Sequence, residues 1–200
     1  MIGRHFILIG SGVVLVGLLA WAVSDGLERL IGVQPESTRA TAEPVVPSEV
    51  PLISATLFYA SEDGRALVPV RQEVALTEGL VPQGREILTA QLQGAPPPYV
   101  SVIPEGTMLR AFYVTERGDA FVDLSLEATS GHPGGSSTEL LTVYAIVHAV
   151  TANLPTIQRV QILVDGREAD TLAGHVDLRR PLQPDVSLVR DESPENTNLR

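Results

Sequence analysis

"VQILVDGREADTLAGHVDL", residues Val160 to Leu178, is the stretch on which the reading of this chain turns. Val160, Ile162 and Val164 alternate with Gln161 and Leu163, the period of a strand with one buried face. Asp165-Gly166 comes next, a pair that tolerates positive φ and predicts a tight turn. Beyond it stand Gly174, His175 and Asp177. A histidine two residues from an aspartate can belong to a metal or catalytic site. It can equally sit in a short edge segment whose Leu172, Val176 and Leu178 pack on the sheet. A metal centre needs three or four ligands held by a supporting shell. The residues that could complete one are His132, in a Pro-Gly loop, and His148, beside Val147 in an apolar helical run. No spacing ties either to His175, so the packed segment is the expected reading.

The elements upstream decide what that strand joins. In "GHPGGSSTELLTVYAIVHAVTANLP", residues 131–155, Ser136 to Glu139 has the S-x-x-E form of a capping box. Leu140, Val143, Tyr144, Val147 and Val150 recur at helical spacing until Asn153 and Pro155 end the helix. Residues 107–126, "TMLRAFYVTERGDAFVDLSL", read as a hairpin turning at 116–119, with Ala120, Val122 and Leu124 facing the core. "APPPYVSVIPEG", residues 95–106, is a loop whose prolines favour extended chain. In residues 80–94, "LVPQGREILTAQLQG", Val81, Leu88 and Leu92 share a helical face with Ile87 beside them. Pro82 stands in the first turn and Gly94 at the stop. "LISATLFYA" and "RALVPVRQEVAL" flank a Ser61–Gly64 turn and predict a first hairpin, with Pro69 at an edge or a bulge. The order ββ-α-ββ-α-β(β) predicts an α+β fold, a mainly antiparallel sheet with two helices packed on one face.

The ends have a different composition. Residues 6–23, "FILIGSGVVLVGLLAWAV", carry no charge and as a helix span roughly 27 Å, enough for a bilayer core. Arg4 precedes the run while Asp25 and Glu28 follow it, which keeps residues 1–5 in the cytoplasm and exports the remainder. Ala20-Trp21-Ala22 has the small-x-small form of a signal-peptide cleavage site, but a Trp within it and the length of the run favour a retained anchor. Either way the domain is exported. Residues 24–51 are rich in Pro, Ser, Thr and Glu and are expected to form a tether, with an r.m.s. reach of about 30 Å. Residues 52–185 form the domain, and 186–200, "VSLVRDESPENTNLR", read as a disordered tail.

Fourteen Lys and Arg against 24 Asp and Glu leave a net charge of −10, without the basic patch that nucleic acid requires. The chain has no cysteine, which excludes disulfides, thiolate metal sites, a Cys nucleophile and lipid attachment to a Cys. A hydrolase built on Ser136 or Ser137 with His175 and Asp177 lacks the G-x-S-x-G elbow. Gly134-Gly135 at a helix start could cradle an anion, but no Lys or Arg stands beside it.

The ordered string of motifs resembles the GerMN domain family, named for a spore germination and sporulation protein. It comprises Phe58-Tyr59, Leu67-Val68-Pro69, Ile103-Pro104-Glu105-Gly106-Thr107, Phe121-Val122-Asp123-Leu124-Ser125, Gly134-Gly135-Ser136, Val160 to Val164-Asp165-Gly166, and Gly174-His175-Val176-Asp177-Leu178. The resemblance covers residues 52–185, in one copy, and implies an extracytoplasmic module of bacterial envelopes with a fold similar to ring-building motifs. It implies no catalysis, no cofactor and no metal. The chain is therefore expected to sit in the bacterial cytoplasmic (inner) membrane by one N-terminal anchor. There it would bind envelope proteins or copies of itself through a sheet edge and a helix face. The alternative partner is peptidoglycan or another small envelope ligand, held in a pocket near Arg110 or Arg159.

Overall fold

The structure, a computed structural model, describes residues 50–190. The expected cytoplasmic residues 1–5, the apolar run 6–23, tether positions 24–49 and tail positions 191–200 lie outside the described residues. Among the described residues no helix is long and apolar enough to cross a membrane.

The first hairpin forms as the alternation predicts, from β1 (Leu52–Ala60) and β2 (Leu67–Ala75), antiparallel from Leu52 opposite Ala75 to Ala60 opposite Leu67. Ser61 N–H donates to Ala66 O and Leu76 N–H to Pro51 O, so the odd-numbered residues of β1 bond to β2 and the even-numbered ones point outward. Pro69 lies opposite Phe58 and its missing amide therefore faces the open edge of β2. Helix α1 (Leu80–Leu92) ends at Gly94, which adopts φ 103°.

The inward face of α1 differs from the one its apolar spacing suggests. Gln83, Gly84, Ile87, Leu88 and Gln91 are buried, while Val81 and Leu92 are only partly so. The amides turn inward because strand ends require partners there. Gln83 Nε2 donates to Ala75 O at 3.0 Å and its Oε1 accepts from Thr77 N–H at 2.9 Å. Gly84 turns inward because it is small: a Cβ at this position would overlap the Phe112 ring. Gly84→Ala is expected to lower unfolding stability by about 1–3 kcal/mol, the usual cost of overpacking a dense core, read from the denaturant midpoint.

β3 (Leu109–Val114) and β4 (Asp119–Leu124) make the second hairpin, turning through Gly118 at φ 79°. Ala120, Val122 and Leu124 are fully buried, the face expected of them. A single helical turn, α2 (Glu127–Ser130), precedes the long α3 (Ser136–Asn153). β5 (Arg159–Val164) follows, and the Asp165-Gly166 turn, both residues at positive φ, leads to the two-residue β6 (Arg167–Glu168).

Two features depart from a single, mainly antiparallel sheet with both helices on one face. The strands divide into two sheets, β1-β2 and β3-β4-β5-β6, and β5 runs parallel to β4 from Asp119 opposite Arg159 to Leu124 opposite Val164. A helix placed between neighbouring strands returns the chain to its starting end, so β4-α3-β5 has to be a parallel crossover. All other strand pairs are antiparallel. The second departure is that α3 packs on β1 of one sheet as well as β5 of the other. Val143, Ile146, Val147 and Val150 join the main core with Ala120, Val122, Val160 and Ile162. Leu141, Ala145 and Ala149 form a second apolar cluster with Phe58, Ala60 and Leu67. A helix apolar around its whole circumference is a buried helix rather than an amphipathic cover.

The folded chain continues past the boundary expected at 185. Leu182 pairs with Val160, His148 Nε2 donates to Asp185 O at 3.0 Å, and Val186–Leu188 form a 3-10 turn. Val189 pairs with Leu67, whose carbonyl accepts from Arg190 N–H at 2.8 Å. Residues 186–190, placed in the tail by composition, complete a strap that runs from Leu182 beside β5, past His148 of α3, to Val189 beside β2.

Candidate functional site

Glu139 is the polar centre of the domain. It sits in the first turn of α3 with no exposed surface, and its carboxylate collects donors from a single loop. Oε1 accepts from Leu172 N–H at 2.8 Å and Ala173 N–H at 2.9 Å; Oε2 accepts from His175 N–H at 2.8 Å and His175 Nδ1 at 3.1 Å. Burial pushes the Glu139 pKa up, but the amides of Ala173, His175, Val176 and Leu172 outweigh it and hold the group below its ordinary value. The capping box read from Ser136 to Glu139 does not form. The N-cap is Gly135 at φ 88°, with no side-chain cap, and Ser136 is already inside the helix. Glu139 turns to the loop instead, and this is the residue whose role sequence reasoning missed. Its one signal is a carboxylate in the first turn of an otherwise apolar helix.

His175 and Asp177 are not brought together. His175 bonds Glu139, whereas Asp177 closes on Arg179, its Oδ1 accepting from Arg179 Nε at 2.9 Å and its Oδ2 from the terminal guanidinium nitrogen at 2.8 Å. That pairing holds the Asp177 carboxyl well below the carboxylate range. Gly174 takes φ 95° and donates to Thr171 Oγ1, Leu178 N–H reaches Asp170 O, and Leu172 and Leu178 are buried. Residues 170–178 are thus a closed loop packed by its leucines and fastened by Glu139.

The other histidines are also engaged. His132 Nδ1 accepts from Gly134 N–H at 3.0 Å, so its proton is on Nε2, which faces Thr142 Oγ1 at 3.1 Å; that hydroxyl reaches Val102 O at 2.6 Å. Burial pushes the His132 pKa down. His148 lies 5.0 Å from the Phe58 ring and bonds the strap. No hydrogen bond joins Ser136 or Ser137 to any of these rings among the described residues. Nor, among them, could any group of three or more His, Asp and Glu side chains hold a metal ion.

The remaining motif positions build turns and core. Pro104 O accepts from Thr107 N–H and Thr107 Oγ1 around Gly106, at φ 80°. Ser125 Oγ accepts from Met108 N–H at 3.0 Å, pinning the start of β3. Asp123 Oδ1 accepts from Gly166 N–H at 2.8 Å and its Oδ2 from Arg110 Nε at 3.2 Å, while Arg110 also pairs with Asp165. Leu124 and Val164 lie in the core. Arg159 grips Asp119 with two hydrogen bonds, of 2.6 and 3.0 Å. Both arginines expected to anchor a ligand therefore have carboxylate partners. Three clefts lie elsewhere. One of about 280 Å³ is lined by Thr89, Leu92, Gln93, Thr107, Met108 and Leu109. Two of about 360 Å³ flank the 98–104 loop, one with Ser61, Glu62, Asp63 and Tyr99, the other with Val100, Ile103, Pro133 and Thr138.

This is an α+β module whose ionisable and hydroxyl groups fasten loops to a buried helix. The chain belongs to the Germane family, described as sporulation and spore germination, whose model matches residues 56–170. Among solved structures it is similar to a chain described as a lipoprotein from Clostridium perfringens, with TM-score 0.49 and 25% identity, over 68% of this chain and 89% of that one. It is also similar to the first GerMN domain of the sporulation protein GerM from Bacillus subtilis, with TM-score 0.49 and 18% identity, over 66% and 96% of the two chains. The tandem GerMN domains of the same protein match with TM-score 0.50 and 14% identity, over 68% of this chain and 46% of that one. No curated protein matches the chain.

Proposed function

We propose that this chain is a membrane-tethered, extracytoplasmic interaction module of the bacterial cell envelope, acting by binding envelope proteins or further copies of itself and without catalysis of its own. The observation that carries this reading is the commitment of the motif side chains to the fold: Asp123, Ser125, His175 and Asp177 all hold backbone or neighbouring side chains, as does Glu139 beside them. Membership of a family described by sporulation and spore germination supports the envelope setting, and the uncharged run at 6–23 supports the tether.

The test is photo-crosslinking of the full chain in living cells, with the probe at the exposed positions Arg71, Tyr113 and Gln158 in turn. One discrete adduct, with a partner or a second copy, is the expected result. A folded, membrane-fractionating protein that yields no protein adduct from any face would replace this reading with small-ligand binding.

A further inference from the structure

Exposed strand edges invite pairing, and folded proteins close them. Among the described residues every edge but that of β3 carries a partner, a proline or charges along its middle. On β1 the outward groups of Thr56 are bracketed by the Asn153 side chain at 2.8 and 2.7 Å, and those of Phe58 by Gln91 at 2.8 and 2.7 Å. Ala60 exchanges two hydrogen bonds with Val100. The β2 edge is interrupted by Pro69, carries the charges of Arg71 and Glu73, and gives its terminal carbonyls to Arg190 N–H and Gln83. The free side of β5 takes Leu182 and the short β6.

Among the described residues β3 has none of these devices along its middle. Thr115 N–H donates to Asp119 O, so residues 111, 113 and 115 bond to β4, and the backbone groups of Phe112 and Val114 point outward. Tyr113 is 59% exposed on the sheet face away from the core. The usable edge is short, bounded by the irregularity between Leu109 and Ala111 at one end and the Gly118 turn at the other.

We propose that β3 pairs with β3 of a second copy, antiparallel and centred on Tyr113, joining two four-stranded sheets into one. This rests on the reading of the domain as an interaction module and names its partner. The segment 110–116, "RAFYVTE", is complementary to itself in this register and in no neighbouring one. Phe112 meets Val114 of the second copy, outward groups against outward groups, for four backbone hydrogen bonds. Tyr113 meets its own equivalent in the closely spaced type of pair, where aromatic side chains stabilise best. Arg110 stands opposite Glu116 at both ends. Centring on Phe112 instead would set Arg110 against Val114 and Glu116 against Met108.

The chain has no cysteine, so one introduced thiol reports the contact without background. In full-length Tyr113→Cys, mild oxidation is expected to give a reducible dimer of the 21.4 kDa chain, since Cβ atoms in such a pair lie about 4.5–5.5 Å apart. Gln158→Cys, exposed beside the Gly118 turn and off the paired edge, is expected to give none. Adding Val114→Pro removes an outward amide that no ladder within the domain uses; it should abolish the dimer while leaving the melting temperature of the single-cysteine chain within a few degrees. A folded Tyr113→Cys chain that stays monomeric overturns the proposal, as does equal crosslinking at Gln158 or a dimer that survives Val114→Pro. Tyr113→Cys linked instead to a different protein also overturns the second copy as occupant, while leaving the interaction-module reading in place.

Discussion

Glu139→Ala is expected to lower the stability of the domain by about 3–5 kcal/mol, since hydrogen bonds to a charged group contribute about 1.5–3 kcal/mol and each buried donor left bare costs about 1–3 kcal/mol. Three backbone amides and one imidazole lose their acceptor together, and all belong to the loop that carries Leu172 and Leu178 into the core. Against a typical total of about 5–15 kcal/mol, the change takes a large share of the folding free energy. Glu139→Gln, which keeps one acceptor oxygen and turns a donor amide toward other donors, is expected to fall between. Urea unfolding of the three chains is the measurement, and a loss below about 1 kcal/mol in the alanine variant would sink the assignment. The same group predicts a pH dependence. Its folded pKa is depressed, so its contribution is complete above the unfolded value of about 4.3 and is lost as pH falls through the folded value. Stability should drop on acidification below about pH 4.3, more steeply in the wild type than in Glu139→Ala, whose difference curve isolates this one carboxylate.

Gln91→Leu should cost about 2–4 kcal/mol although it adds apolar character to a buried site. The Gln91 side chain is 1% exposed, and its amide closes both outward groups of Phe58 in the middle of β1. Leucine fills nearly the same volume, so the loss reports a bare N–H and a bare C=O with little cavity contribution. The variant also reopens a strand edge, and it is expected to aggregate at concentrations where the wild type stays dispersed. A leucine chain that is as stable and as soluble as the wild type would show that β1 needs no cover.

Local pattern carried much of this fold. The alternation of Ala120, Val122 and Leu124 and of Val160, Ile162 and Val164 named the buried faces, because a strand has a period of two and one residue cannot serve both sides. Asp165-Gly166 and Gly94 named their own conformations, because positive φ restricts the residue types that adopt it. The proline at 69 restricted β2 to an edge or a bulge, and the fold takes the edge. Less was legible where two distant segments meet. Gln83 and Gln91 carry no signal in the sequence and Asn153 reads only as a helix end, yet all three are strand partners in the fold, since nothing in a single helix says which carbonyl 33 or 97 residues away lacks a donor. The parallel pairing of β4 with β5 followed from the helix between them, a geometric consequence that hydrophobic period does not register.

Membership of the Germane family, the turns and the core strands were determined by the sequence by itself, because each depends on residues a few positions apart. The tertiary structure alone decided that α3 is buried around the middle of its length, that the His-x-Asp pair of the opening stretch is pulled apart between Glu139 and Arg179, and that among the described residues β3 is left with an open edge. Each of these depends on which groups remain unpaired once the chain has closed on itself, and an unpaired buried group costs the same wherever in the sequence its partner lies.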